Sequence, residues 1–147
     1  MDGLQDIPIH LESPSVSDPS TNNLLPILHQ VRHALELLIN RGKTTTIDLS
    51  AIPFASGDEE QLRATLGAGE VVATIDALGE TTVLETAYAG VWLVEYFSPE
   101  HVRLALHLEV TEVPFLLKAQ NDDLVDARLC LGRYLDGLTD IDPNITA

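Results

Sequence analysis

Val102-Arg103-Leu104-Ala105-Leu106-His107-Leu108-Glu109-Val110 alternates without a break. Its odd-spaced partners Arg103, Ala105, His107 and Glu109 make a mixed face, and the leucines and valines make an apolar one. Period-two alternation is the signature of a half-buried strand whose apolar face needs a cover. Upstream, the stretches 71–76, 81–88 and 91–96 carry the same strand signal. They are separated by Ala77-Leu78-Gly79 and Ala89-Gly90, and Ser98-Pro99-Glu100 leads into the final strand. Connections this short join antiparallel neighbours. The short β-branched run 44–49 is a fifth strand candidate.

Helical spacing appears on both sides of these strands. Thr21-Asn22-Asn23 offers N-cap side chains and Pro26 sits in the first turn. Leu24, Leu28, Val31, Leu35 and Leu38 then recur as one stripe until Gly42 stops the helix. Ser56-Gly57-Asp58-Glu59 matches a capping box opening a brief helix that closes at Gly67. After Pro114, Asn121 or Asp122 caps a last helix with Leu124, Ala127, Leu131, Leu135 and Leu138 on one stripe. The predicted fold is α+β in two layers. An antiparallel sheet of about four to five strands is covered on one face by an N-terminal and a C-terminal helix. The domain spans 21–140. A flexible arm over 1–20, with Pro8, Pro14 and Pro19, precedes it, and a short tail over 141–147 follows.

The 147 residues carry 8 Lys and Arg against 23 Asp and Glu, a net charge of −15. Charge of this sign repels phosphate backbones and anionic membrane surfaces, so neither nucleic acid nor membrane is an expected partner. No run of 18 apolar residues and no basic, then apolar, leader is present, and the expected location is cytoplasmic. The lone Cys130 excludes an intramolecular disulfide and reads as a buried structural thiol.

Three constellations could carry chemistry. His29, His33 and Glu36 fall at i, i+4 and i+7 on the first helix, spacing that would suit a metal ion, beside the plainer reading of a solvated polar face. His107 and Glu109 share one side of the last strand, and Glu85 joins them where register allows, as an acid–base group or as ordinary cross-strand polar pairing. Trp92 belongs to the core by default, or forms an aromatic surface with Tyr88 and Tyr96. Gly67-Ala68-Gly69 follows a helix instead of opening one, so it terminates and reverses the chain and does not cradle phosphate.

Taken together, Leu66-Gly67-Ala68-Gly69-Glu70-Val71-Val72-Ala73, Glu85-Thr86-Ala87-Tyr88-Ala89-Gly90-Val91-Trp92-Leu93-Val94 and Leu108-Glu109-Val110 before Pro114 are distinctive. Ile47-Asp48-Leu49 with Ile52-Pro53 adds to them. The pattern resembles the hydrogenase expression/formation protein family called HupH or HyaF, from about residue 24 to 138. Family members typically carry a longer chain in which this region is the C-terminal part. The resemblance implies an accessory factor, a chaperone or scaffold, in nickel–iron hydrogenase maturation, acting in the cytoplasm. Its implied partner is the iron–sulfur small subunit or its precursor, or another maturation factor. It implies no catalytic residues, and no cofactor is expected. Gly67, Gly69, Gly90 and Pro114 match its pattern as turn or boundary residues. Glu70, Glu85 and Glu109 match it as charges that local folding does not require, and with Trp92 they are the expected partner surface. A metal-handling protein built on His29, His33 and Glu36, or a small enzyme built on Glu85, His107 and Glu109, are the alternatives. An exposed edge strand would also allow a homodimer.

Overall fold

The computed structural model describes residues 23–141, with the side chains of Ser56, Asp140 and Ile141 left aside. The expected arm over 1–20 lies outside the described residues, as does the tail over 141–147 apart from the backbone of Ile141. By its internal contacts the chain divides into two compact units, Met1–Thr111 and Glu112–Ala147.

In the first unit, helix α1 (Leu24–Arg41) buries Ile27, Val31 and Ala34 and ends where Gly42 turns left-handed at φ 65°, its N–H on the Leu38 carbonyl. Thr21 and Asn22 lie outside the described residues. Asn23 occupies the N-cap but makes no side-chain cap; its Nδ2 donates instead to the Pro53 carbonyl at 2.7 Å, tying the helix start to the loop before the second helix. Strand β1 (Thr45–Asp48) runs into a 3-10 turn (Leu49–Ala51) held by Asp48, which accepts from the Ser50 N–H. Helix α2 (Ser56–Leu66) is capped one residue earlier than expected, from Ala55. Only half of a capping box is possible there, because alanine has no side-chain acceptor: Asp58 Oδ2 accepts from the Ala55 N–H at 3.3 Å.

Four further strands complete the sheet: β2 (Val72–Ala77), β3 (Gly79–Glu85), β4 (Val91–Phe97) and β5 (Arg103–Val110). All pairs are antiparallel in the order β1-β5-β4-β3-β2, so β1 and β2 are the edges. β3 starts and ends earlier than 81–88. Gly79 takes φ 131°, and a Cβ there would collide with the Phe97 carbonyl oxygen. At the other end Thr86 folds the chain back, its N–H and hydroxyl both bonded to the Val91 carbonyl.

Register places Ile47, Leu108, Leu93, Leu84 and Val72 in one row across all five strands. The inner part of that row, with Val91, Leu106 and Val110, packs against α1 and against Leu62 and Leu66 of α2. Each fully buried leucine contributes about 2 kcal/mol. The second helix of this core is therefore α2.

The alternation of β5 fails at its start. Tyr96 pairs with Ala105 but Phe97 pairs with Arg103, so a bulge passes over Leu104. Leu104 and Val102 are consequently exposed, and Arg103 is turned onto the helix side of the sheet.

The second unit holds a 3-10 turn (Phe115–Leu117) and helix α3 (Asn121–Ile141), whose described side chains are exposed apart from the intermediate Gly132 position. Among the described residues no helix is long and apolar enough to cross a membrane.

Candidate functional site

The two glycine-and-glutamate blocks, fifteen residues apart in sequence, meet at the β2 edge of the sheet. The Gly69 N–H donates to the Glu85 carbonyl (2.8 Å), the Glu85 N–H to the Val71 carbonyl (2.9 Å), and the Ala87 N–H to the Leu66 carbonyl (2.9 Å). The Glu85 carboxylate then accepts from the N–H groups of Glu70 and Val71 at 2.9 and 3.0 Å. Glu85 is thus a folding residue. The expectation that its charge is not needed locally fails because the turn leaves two N–H donors that a side chain arriving from β3 satisfies. Gly67 ends α2 at φ 65°, and Gly69 lies so close to Thr86 and Glu85 that a Cβ would stand 2.6 Å from the Thr86 carbonyl oxygen.

This locked turn lines a cleft of about 340 Å³ with Arg63, Ala64, Val72, Leu84 and Leu93. Glu70 and Val72 are exposed beside it, Val72 at 71%. β2 is an edge strand, so the cleft borders a row of backbone groups with no strand of the described residues beyond it. A second, apolar groove of about 280 Å³ lies between Leu28, Leu35, Leu66 and the half-exposed Tyr88.

The remaining expected residues lie on the sheet face away from α1 and α2. Glu85, Trp92 and Glu109 form one cross-strand row. Trp92 stands between the two glutamates, which places them about 9–10 Å apart at the strand level. Glu85 is also committed to its turn, so Glu85, His107 and Glu109 do not converge as a catalytic group. His107 has closer company: its ring meets Tyr96 edge-on at 5.1 Å, and its Nε2 is 3.8 Å from Asp48. Burial holds the Glu109 carboxyl above its ordinary value, with His107 opposing the shift. The Tyr96 hydroxyl is also pushed up, by burial first and then by the Glu109 charge. Trp92 is only 6% exposed, and its Nε1 donates to the Thr111 carbonyl at 3.1 Å. It is a core residue, and Tyr88 lies apart in the hairpin, so no Trp92, Tyr88 and Tyr96 surface forms.

On α1, His33 and Glu36 approach to 3.7 Å on the exposed side, and His29 is exposed nearby. Among the described residues no three His, Cys, Asp or Glu groups are placed to hold a metal ion. Cys130 is exposed, with an Arg133 guanidinium N–H donating to its sulfur at 3.4 Å, and is not the buried thiol expected.

Sequence reasoning missed one polar assembly. Arg103 grips Glu59 through two bonds of 2.6 and 2.8 Å, Arg63 reaches both Glu59 (3.1 Å) and Glu95 (2.9 Å), and Arg103 lies 3.5 Å from Glu95. Hydrogen bonding to Arg103 lowers the Glu59 pKa against the cost of burial, and the same bond raises that of Arg103. The i, i+4 spacing of Glu59 and Arg63 is legible in sequence, but the cross-sheet partners depend on the β5 bulge.

The fold and the locked turn define a helix-covered, open antiparallel sheet with an apolar cleft at one edge. Residues 21–137 match the model of the HupH hydrogenase expression protein, C-terminal conserved region, and the chain belongs to that family. It is 30% identical over 107 residues to the hydrogenase expression/formation protein HoxQ of Azotobacter vinelandii, and 26% identical over 105 residues to the hydrogenase expression/formation protein HupH of Rhizobium leguminosarum bv. viciae. Each match takes in 71% of this chain but 38% and 37% of the relative, so the chain spans less than two fifths of the length of these curated relatives. The structure of the hydrogenase expression protein HupH from Thiobacillus denitrificans superposes with a TM-score of 0.77 at 38% identity, over 80% of this chain and 98% of that one.

Proposed function

We propose that this chain is an accessory chaperone or scaffold of nickel–iron hydrogenase maturation that holds the iron–sulfur small subunit, or its precursor, in the cytoplasm before export or assembly. The match to the hydrogenase expression family across 21–137 carries the reading. Physical support comes from the cleft at the β2 edge. An extended client segment adds to the edge through main-chain hydrogen bonds and seats an apolar side chain in the cleft. Glu70 lies at the rim, and Glu85 acts through the turn it holds. The net charge of −15 steers basic client segments towards the protein.

The test is a pull-down of the small-subunit precursor at low and high salt, with Val72→Asp beside the wild type and circular dichroism to confirm folding. Specific capture that weakens with salt and is lost in Val72→Asp is the expected result. A folded wild type that captures no precursor refutes the reading.

A further inference from the structure

Helix α3 carries an apolar stripe that nothing in its own unit covers. Leu124, Leu131, Tyr134, Leu135 and Leu138 are 44–64% exposed. That is roughly 500 Å² of apolar surface per chain, at the upper end of what a monomer shows. Most of a helix's stability in a protein comes from packing its apolar face and little of it from helix propensity.

The stripe has heptad order. Leu124, Leu131 and Leu138 recur every seven residues at one core position, and Ala127 and Tyr134 occupy the other, three residues on. The residues bordering this seam are Asp123 on one side and Arg128 on the other, while Asp122, Val125, Asp126, Leu129, Arg133 and Asp136 fall on the far face. In a parallel two-stranded coil, the residue before one core position faces, across the seam, the residue five places further along the partner. Asp123 and Arg128 have that separation, and two-fold symmetry makes the pair twice. Cys130 and Leu135 take the next such position and extend the apolar contact. Two stripes of this size bury on the order of 1,000 Å², the lower bound for a specific interface.

We propose that α3 pairs in parallel with α3 of a second copy of this chain, making the protein a homodimer. Sequence alone pointed to an edge strand for self-association; the apolar seam of α3 supplies a different surface.

Light scattering after size exclusion, at tens of micromolar, should give twice the 16.0 kDa chain mass. Leu131→Asp should return it to the mass of one chain. Asp123→Arg alone, which sets two cations against each other, should weaken the dimer roughly 2- to 10-fold, and Asp123→Arg with Arg128→Asp should restore it. In a Cys130→Ser background, Leu124→Cys should oxidise to a covalent dimer. An antiparallel pair would hold the two 124 positions about 20 Å apart and give none. A monomeric wild type, a dimer indifferent to Leu131→Asp, failure of the double charge reversal to restore pairing, or no covalent dimer overturns the proposal. The charge-reversal pair decides the matter even if Leu131→Asp fails to fold.

Discussion

Glu85 shows how a residue acquires a structural duty that its sequence neighbours do not announce. Its carboxylate closes the turn before β2 by accepting two backbone N–H groups, and Gly69 must lack a Cβ for that approach. Glu85→Ala is expected to lose about 1–2 kcal/mol in denaturant unfolding, and Glu85→Gln, which keeps an acceptor, less than half of that. An unchanged midpoint for Glu85→Ala would show that water serves the turn equally well. Gly67 and Gly69 were legible as chain-reversing residues because their position after a helical run limits what they can do. Glu85 was not, since the donors it serves lie on another strand. Trp92 was readable as core from its apolar neighbours, while its hydrogen bond to the Thr111 carbonyl required the hairpin to close first.

Among the elements, β5 is where local pattern and tertiary demand part. Alternation placed Leu104 inside and Arg103 on the opposite face, yet the bulge exposes the leucine and delivers the arginine to Glu59 on α2. Two carboxylates, Glu59 and Glu95, lie under two guanidiniums there, with the acids more buried than the bases. Removing one cation leaves a partly buried acid without its main partner. Arg103→Ala should therefore cost roughly 1–2 kcal/mol near neutral pH. The folded Glu59 pKa is lowered, so its stabilisation is present above the unfolded value of 4.5 and is lost as pH falls through the folded value. The gap between wild type and Arg103→Ala should accordingly close as pH falls below 4.5 in urea titrations. A gap independent of pH would assign the loss to packing of the arginine stem. Helix α2 itself was readable from its cap residues and closing glycine, but its rank as core helix was not. A short helix of weak amphipathicity gives little sign that Leu62 and Leu66 will be the side chains a sheet encloses.

For the whole molecule, a net charge of −15 on one small chain is self-repulsive. Raising sodium chloride from about 10 to 150 mM should raise the melting temperature, because the Debye length falls from about 30 to 8 Å, while capture of a basic client weakens. Melting that ignores salt would mean that the charges are too well dispersed to matter. The α+β class, the antiparallel order of β2 to β5, the ends of α1 and the family to which the chain belongs followed from sequence. They rest on local periodicity, short connections and residue blocks that are contiguous in the chain. Only the tertiary structure decided that β1 pairs with β5, that α2 completes the core, that Glu85 serves the turn before β2, and that Arg103 joins Glu59. Those outcomes depend on strand register, one bulge and contacts between residues far apart in the chain, which no local pattern encodes.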